Sequence, residues 1–187
     1  MDSILDQIIK FATNAHSGQK RKYSTEDYIV HPVRVMEMCR EYSGKLPVLA
    51  AALLHDVLED TSVKKDEIRV FLKSLMPEQE IVQTLKLIDE LTDIYLKKDY
   101  PKWNRKKRKT MEEERIQATS ADSQTIKYAD IIDNCREIVE HDPDFASVYI
   151  RECKSLLGKI TKGNAVLYRR AVNSVNTSLQ ILIWKGA

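Results

Sequence analysis

Hydrophobic residues recur along most of the chain at the three- and four-residue spacing of amphipathic α-helices. No segment carries the alternating, valine- and isoleucine-rich pattern that is typical of a half-buried β-strand. The five glycines and five prolines fall mostly between the periodic stretches, where they end or begin helices. The pattern therefore predicts an all-α fold. Helices are predicted to start at Ser3, near Pro32 and at Pro47, and to cover residues 63–75, 77–92, 123–140, 143–157 and 164–184.

The predicted third helix, PVLAAALLHDVLED from Pro47, joins an apolar half to a polar end. The first half is apolar on every side, so we expect it to be buried all round. The polar end holds His55, Asp56, Glu59 and Asp60. In one continuous helix, residues four positions apart share a face, which would place His55 near Glu59. Burying such groups costs on the order of several kcal/mol without compensation, and a divalent cation is the simplest compensation.

Two further residues are candidate ligands outside that helix. His31 directly precedes Pro32 at a predicted helix start, and Asp130 lies among the core positions of the helix at 123–140. A mixed imidazole and carboxylate set favours manganese, iron, cobalt or zinc over magnesium. Simpler interpretations are an N-capping His31, an Asp56 paired with an arginine, and an Asp130 hydrogen-bonded in the core. The residues alone leave both interpretations open.

Length and composition predict the number of domains, the type of partner and the compartment. A chain of 187 residues predicts one domain over 1–187, and 30 basic against 28 acidic residues predict neither a nucleic-acid nor a membrane partner. Three cysteines without a CxxC pair, and no targeting or membrane-spanning segment, predict a cytoplasmic protein. The highly charged section 93–119, with a basic run at 105–109, is predicted to be a mobile or functional insert.

Four stretches occur in the order and approximate spacing of a known family. They are AHSGQKRK at 15–22, DYIVHPVRV at 27–35, AALLHDVLEDT at 51–61 and IKYADIIDN at 126–134. These stretches resemble the HD hydrolases of alarmone metabolism, which are the RelA/SpoT-type guanosine tetraphosphate hydrolase domain and its small stand-alone relatives. The resemblance covers roughly residues 8–140 and leaves 141–187 as closing helices. It implies a single-domain HD-type helical bundle.

The resemblance also implies a reaction and a site. The reaction removes the 3′-pyrophosphate from guanosine tetra- or pentaphosphate and gives GDP or GTP, so the implied partner is a small nucleotide substrate. The implied cofactor is a divalent metal, typically manganese in this family. The residues that align with the family's functional positions are, for the metal, His31, His55, Asp56 and Asp130; for catalysis, Glu59 and Asp60; and for nucleotide binding, Arg21, Lys22 and Asn134.

Two segments depart from the family pattern and keep alternatives open. The loop 23–27 has Asp27 where proline is usual, and the segment LTDIYLKKDYPKWNRKKRK lacks the usual threonine–lysine pair. The altered 23–27 loop motivates an HD phosphohydrolase that acts on another nucleotide, and the second departure bears on guanine recognition. A third alternative is a non-catalytic nucleotide-binding module whose terminal helix, Asn164 to Trp184, forms a homo-oligomer. The intact Glu59–Asp60 pair argues against this third alternative, because a pure binder needs no such acids.

Overall fold

The computed structural model describes residues 2–186, apart from the side chain of Lys185, and is built from α-helices, with the longer connections at 16–29 and 92–104. Within these residues the only β-type pairing is an isolated antiparallel bridge between Lys20 and Asp27. The predicted all-α class is therefore confirmed. No helix in the described range is long and apolar enough to cross a membrane. The helices are α1 Asp2–Ala15, α2 Val30–Arg40, α3 Leu46–Leu54, α4 Val57–Asp60, α5 Lys65–Leu72, α6 Glu78–Leu91, α7 Arg105–Ala118, α8 Ala121–His141, α9 Pro143–Leu157 and α10 Ala165–Lys185.

The chain divides between Thr92 and Asp93 into two structural units. In the first unit, α3 packs against α1, α2 and α6, and α5 packs against α6. Every residue of α3 from Pro47 to Leu54 is buried, as its apolar composition on all sides predicts. The carboxyl end of α3 is thus fixed on several sides. One domain over residues 1–187 stays a prediction.

In the second unit, α8 packs against α9 and α10, and α7 packs against α9. The three longer helices begin at side chains that accept a hydrogen bond from a backbone N–H of the first turn, namely Ser120, Asp142 and Asn164. Each such N-cap contributes about 1 kcal/mol to the stability of its helix. The helices predicted over 123–140, 143–157 and 164–184 agree with α8, α9 and α10 to within two residues.

The continuous helix predicted from Pro47 through Asp60 is wrong. The chain forms a turn at His55 and Asp56, between α3 and α4. Asp56 has φ −93° and ψ −8°, and its carbonyl oxygen accepts the N–H groups of Glu59 and Asp60 at 3.2 and 2.9 Å. The Asp56 side chain makes no cap hydrogen bond, so the new helix starts with these two backbone hydrogen bonds. The relation that placed His55 near Glu59 therefore does not apply across the break.

The charged section 93–119 contains a regular helix, α7, which contradicts a mobile insert. Arg105 forms two hydrogen bonds, of 2.8 and 2.7 Å, with the carboxylate of Glu152 on α9. Glu112 is 3% exposed and accepts the backbone N–H groups of Ile94 and Tyr95 at 2.6 and 2.7 Å. These bonds anchor α7 to α9 and to the stretch that precedes it. Charged side chains of this segment therefore hold it in place within the second unit.

Candidate metal centre

Three residues of the first unit place their ligand atoms in one cluster. His31 lies in the first turn of α2, and His55 and Asp56 form the turn between α3 and α4. Asp56 Oδ2 is 3.5 Å from His31 Nε2 and 3.2 Å from His55 Nε2. One ligand atom from each residue lies within 4.8 Å of the others, and both imidazoles are buried. The structure thus brings together three of the four predicted metal ligands.

A backbone contact fixes the proton on the His55 ring. His55 Nδ1 lies 2.8 Å from the carbonyl oxygen of Ala52, which can only accept a hydrogen bond. Nδ1 therefore carries the hydrogen, and Nε2 of the neutral ring keeps a lone pair on the side of the cluster. Histidines that ligate metals are held in this way, with the second ring nitrogen donating to a carbonyl or carboxylate.

Two of the three separations between donor atoms are close to what one cation requires. Two ligands bound at about 2.1 Å, at tetrahedral or octahedral angles, lie roughly 3.0–3.4 Å apart. The separations of 3.2 and 3.5 Å within the cluster are close to this range. Two imidazole nitrogens and a carboxylate oxygen form a donor set that suits a divalent first-row transition metal. The residues present therefore fit a divalent cation.

Two of the simpler interpretations do not match the structure. The N-cap of α2 is Ile29, and it makes no side-chain cap hydrogen bond, so His31 is not an N-cap. The ion pairs of Asp56 among the described residues go to the imidazoles of His31 and His55 rather than to an arginine. Neither interpretation explains why two buried histidines face one carboxylate oxygen.

Asp130 lies on α8 in the second unit, where it is buried. Its Oδ2 accepts a hydrogen bond from Lys127 Nζ at 2.7 Å, and its Oδ1 accepts one from Asn134 Nδ2 at 2.6 Å. These contacts match the interpretation of a carboxylate hydrogen-bonded in the core. They also fix the orientation of the carboxylate. The role of Asp130 as fourth ligand and that of Asn134 in nucleotide binding both stay predictions.

The predicted catalytic acids lie on α4, immediately after the cluster. Glu59 and Asp60 both lie at the surface, and neighbouring groups cover part of Asp60. The Tyr28 hydroxyl lies 3.1 Å from Asp60 Oδ2 and 2.8 Å from Asp56 Oδ2. Partial burial raises the pKa of Asp60 and the Asp56 charge raises it further, whereas the Tyr28 hydrogen bond lowers it. The net effect of these contributions is a raised pKa for Asp60.

The predicted basic pair lies in the loop that follows α1. Arg21 is 9% exposed, and its guanidinium carbon lies 5.9 Å from the centre of the Tyr28 ring. Lys22 is exposed, and its ammonium nitrogen lies 4.7 Å from the ring centre of the next residue. Asp27, the departure noted in this loop, pairs with Lys20 at 2.6 Å on the exposed surface, so its negative charge is compensated.

Three residues near the cluster were missed from the sequence. His16 is 3% exposed and stacks on Tyr28 with ring centres 4.6 Å apart. His16 Nδ1 is 2.9 Å from Gln19 Oε1, and Gln19 Nε2 donates to the carbonyl oxygen of Asp60 at 2.8 Å. All three lie inside the matching stretches 15–22 and 27–35, which marks them as candidates. The sequence alone assigns them no role, because their contacts with one another and with α4 form only in the folded chain.

Comparisons with known proteins agree with the family resemblance seen in the sequence. A model of the HD domain matches residues 9–158. The human guanosine-3′,5′-bis(diphosphate) 3′-pyrophosphohydrolase MESH1 is 30% identical over 157 residues, which cover 82% of this chain and 80% of MESH1. The bifunctional (p)ppGpp synthase/hydrolase SpoT of Escherichia coli is 41% identical over 88 residues, or 46% of this chain but 12% of SpoT. A similar partial match joins the chain to 12% of a Vibrio cholerae guanosine-3′,5′-bis(diphosphate) 3′-pyrophosphohydrolase.

A solved structure of a metazoan orthologue of SpoT superimposes with a TM-score of 0.75 at 23% identity and covers 94% of this chain and 95% of its own. That likeness supports the HD-type helical fold. The HD-domain match spans most of the chain, and the MESH1 match covers more than two thirds of both proteins. The resemblance seen in the four sequence stretches is thereby confirmed. The chain belongs to the HD-domain family of hydrolases that includes MESH1 and SpoT.

Proposed function

We propose that this chain is a divalent-metal-dependent hydrolase that removes pyrophosphate from the 3′ position of guanosine tetra- or pentaphosphate. The observation that carries the proposal is the convergence of His31 Nε2, His55 Nε2 and Asp56 Oδ2 at one point. It occurs in a chain whose relative at 30% identity over most of both proteins, human MESH1, is named for this reaction. The cluster therefore supports metal-dependent chemistry, and the relative supports the reaction class.

We assign the metal to His31, His55, Asp56 and Asp130. The mixed imidazole and carboxylate donors suit manganese, iron, cobalt or zinc, and we expect manganese because the family resemblance implies it. The bond from His55 Nδ1 to the Ala52 carbonyl keeps that ring in the orientation a ligand needs. When bound, the cation makes water more acidic and offsets negative charge on the phosphate oxygens. All other steps are assigned to side chains of the protein.

Glu59 and Asp60 are assigned to the attacking water. The water oxygen bonds to the phosphorus attached to the ribose 3′ oxygen, and the bond between that phosphorus and the 3′ oxygen breaks. A carboxylate accepts the proton of the water, and the 3′ oxygen gains a proton, so the products are GDP or GTP and pyrophosphate. Arg21, Lys22 and Asn134 are assigned to the nucleotide, since guanidinium and ammonium groups bind phosphate through charge-assisted hydrogen bonds.

The direct test measures pyrophosphate release from guanosine tetraphosphate with and without Mn²⁺. We expect release that depends on Mn²⁺ and that is lost in Asp56→Ala and in Asp130→Ala. Release that continues at full rate after chelation would refute the metal requirement. If the metal-loaded protein releases no pyrophosphate, the substrate assignment is wrong, and a screen for orthophosphate release from other nucleotides tests the alternative hydrolase.

The role of Glu59 has a matched control. Glu59→Gln keeps the shape of the side chain but cannot accept a proton, so we expect turnover to fall by about 10²–10⁴-fold while metal binding is retained. Glu114 is an exposed glutamate on α7, and Glu114→Gln should leave turnover unchanged. Equal turnover in the two variants would remove Glu59 from the mechanism.

Metal binding can be measured without any substrate. A ligand that binds only the folded state raises the free energy of unfolding by about 2.7 kcal/mol at a concentration of 100 times its dissociation constant. We expect Mn²⁺ to raise the melting temperature of the parent protein but not of Asp56→Ala. Self-association through the terminal helix and a cytoplasmic location stay predictions.

A further inference from the structure

Tyr28 connects a residue assigned to the metal with a residue assigned to the attacking water. Its hydroxyl lies 2.8 Å from Asp56 Oδ2 and 3.1 Å from Asp60 Oδ2. A phenol carries a single proton, so this hydroxyl donates to the two carboxylates as a shared, three-centre hydrogen bond. Two carboxylates this close to one oxygen atom repel each other, and a donor placed between them reduces that repulsion.

The Tyr28 ring is itself held in place. The His16 ring stacks on it at 29° with centres 4.6 Å apart, and the Arg21 guanidinium lies 5.9 Å from its centre. The backbone N–H of Tyr28 donates to the Gln19 carbonyl oxygen at 3.1 Å. The Gln19 side chain in turn donates to the Asp60 carbonyl at 2.8 Å. The loop after α1 therefore fixes both the tyrosine and the end of α4 that the tyrosine contacts.

We propose that Tyr28 is a positioning residue of the hydrolase site. Its hydroxyl sets the distance between Asp56 and Asp60, so that the metal-holding carboxylate and the proton-accepting carboxylate act on the same water. This inference rests on the proposed function of the site. Tyr28 acts through the two aspartates and is assigned no contact with the reacting atoms.

The test uses Tyr28→Phe, which keeps the aromatic ring that contacts His16 and Arg21 and removes only the hydroxyl. The matched control is Tyr168→Phe, whose lost hydroxyl donates to the Leu157 carbonyl at 3.2 Å in the second unit. Each variant loses hydrogen bonding of one hydroxyl group, so both should fold and melt within about 4 °C of the parent protein.

Mn²⁺ affinity, measured by calorimetry without nucleotide, should fall about 10- to 100-fold in Tyr28→Phe, because Asp56 loses a donor that orients it. Tyr168→Phe should bind Mn²⁺ as the parent does. At saturating Mn²⁺, kcat for pyrophosphate release should still be at least about tenfold lower in Tyr28→Phe, with KM unchanged, because Asp60 has also lost its anchor. In an Asp60→Asn background, the same substitution should leave kcat nearly unchanged.

The inference would be overturned by parental Mn²⁺ affinity in Tyr28→Phe, by full recovery of kcat at saturating Mn²⁺, or by a loss confined to KM. A fall in kcat of equal size with and without Asp60 would also overturn it, because the two side chains would then act independently. If the parent protein releases no pyrophosphate, the proposed function fails, and the Mn²⁺ affinity of Tyr28→Phe still decides whether Tyr28 positions Asp56.

Discussion

Gly163 lies where the loop before α10 passes against α8, and neighbouring atoms leave no room for a side chain at this position. A Cβ added at this position would lie 2.6 Å from Tyr128 Cε2, 2.8 Å from Thr125 N and 2.9 Å from Thr125 Oγ1. Two hydrogen bonds join the same elements, from Gly163 N to Tyr128 Oη at 3.3 Å and from Asn164 N to Thr125 Oγ1 at 2.9 Å. A methyl group here must move the loop or α8, and either movement weakens both bonds.

We expect Gly163→Ala to lower the free energy of unfolding by about 2–3 kcal/mol. Overpacking costs roughly 1–3 kcal/mol, and each weakened hydrogen bond costs up to about 1.5 kcal/mol. The loss of glycine's freedom in the unfolded chain offsets about 0.4–1 kcal/mol of this. For a chain of this length, 1 kcal/mol corresponds to about 2–4 °C, so the melting temperature should fall by roughly 4–12 °C.

Thermal unfolding followed by far-ultraviolet circular dichroism measures this change, with Gly44→Ala as the control. A Cβ at Gly44 meets nothing within 4 Å, and the positive φ angles among the described glycines belong to Gly18 and Gly186. Gly44→Ala should therefore melt at or slightly above the temperature of the parent protein. If Gly163→Ala melts within about 1 °C of that control, the loop has room for a side chain and the steric argument is refuted.

Two further predictions concern titratable groups. Burial raises the pKa of Asp93, but the charges of Lys109 and Lys127 outweigh burial and hold its pKa below the ordinary value of 3.8. Asp93 therefore stabilises the fold above about pH 4, so the stability deficit of Asp93→Asn should shrink as the pH falls below 4 in urea titrations; a constant deficit would contradict this. Burial raises the pKa of the Cys39 thiol to about 12, and Cys135 and Cys153 are also buried, so a thiol reagent at pH 8 should label no cysteine of the native protein and three after denaturation.

The helices of the second unit could be predicted because their ends depend on local chemistry. Pro143 begins α9 and Gly158 follows it, and Asn164 caps α10 with its own side chain. Helix α7 was missed as a fixed element because its charges are compensated from far along the chain. Arg105 pairs with Glu152, 47 residues away, and no local pattern predicts such a partner. A run of like charge therefore indicates solvation only when no distant element supplies the opposite charge.

The cluster forms although the predicted continuous helix does not. His55 and Asp56 are adjacent in the chain and both keep right-handed helical backbone angles. At the turn between α3 and α4, His55 Nε2 lies 3.2 Å from Asp56 Oδ2. Packing of α2 against α3 then adds His31, and the loop after α1 adds Tyr28. The pattern of residues could indicate which side chains carry the chemistry, but their convergence depends on contacts between α2, the α3–α4 turn and the loop after α1, which no local pattern predicts.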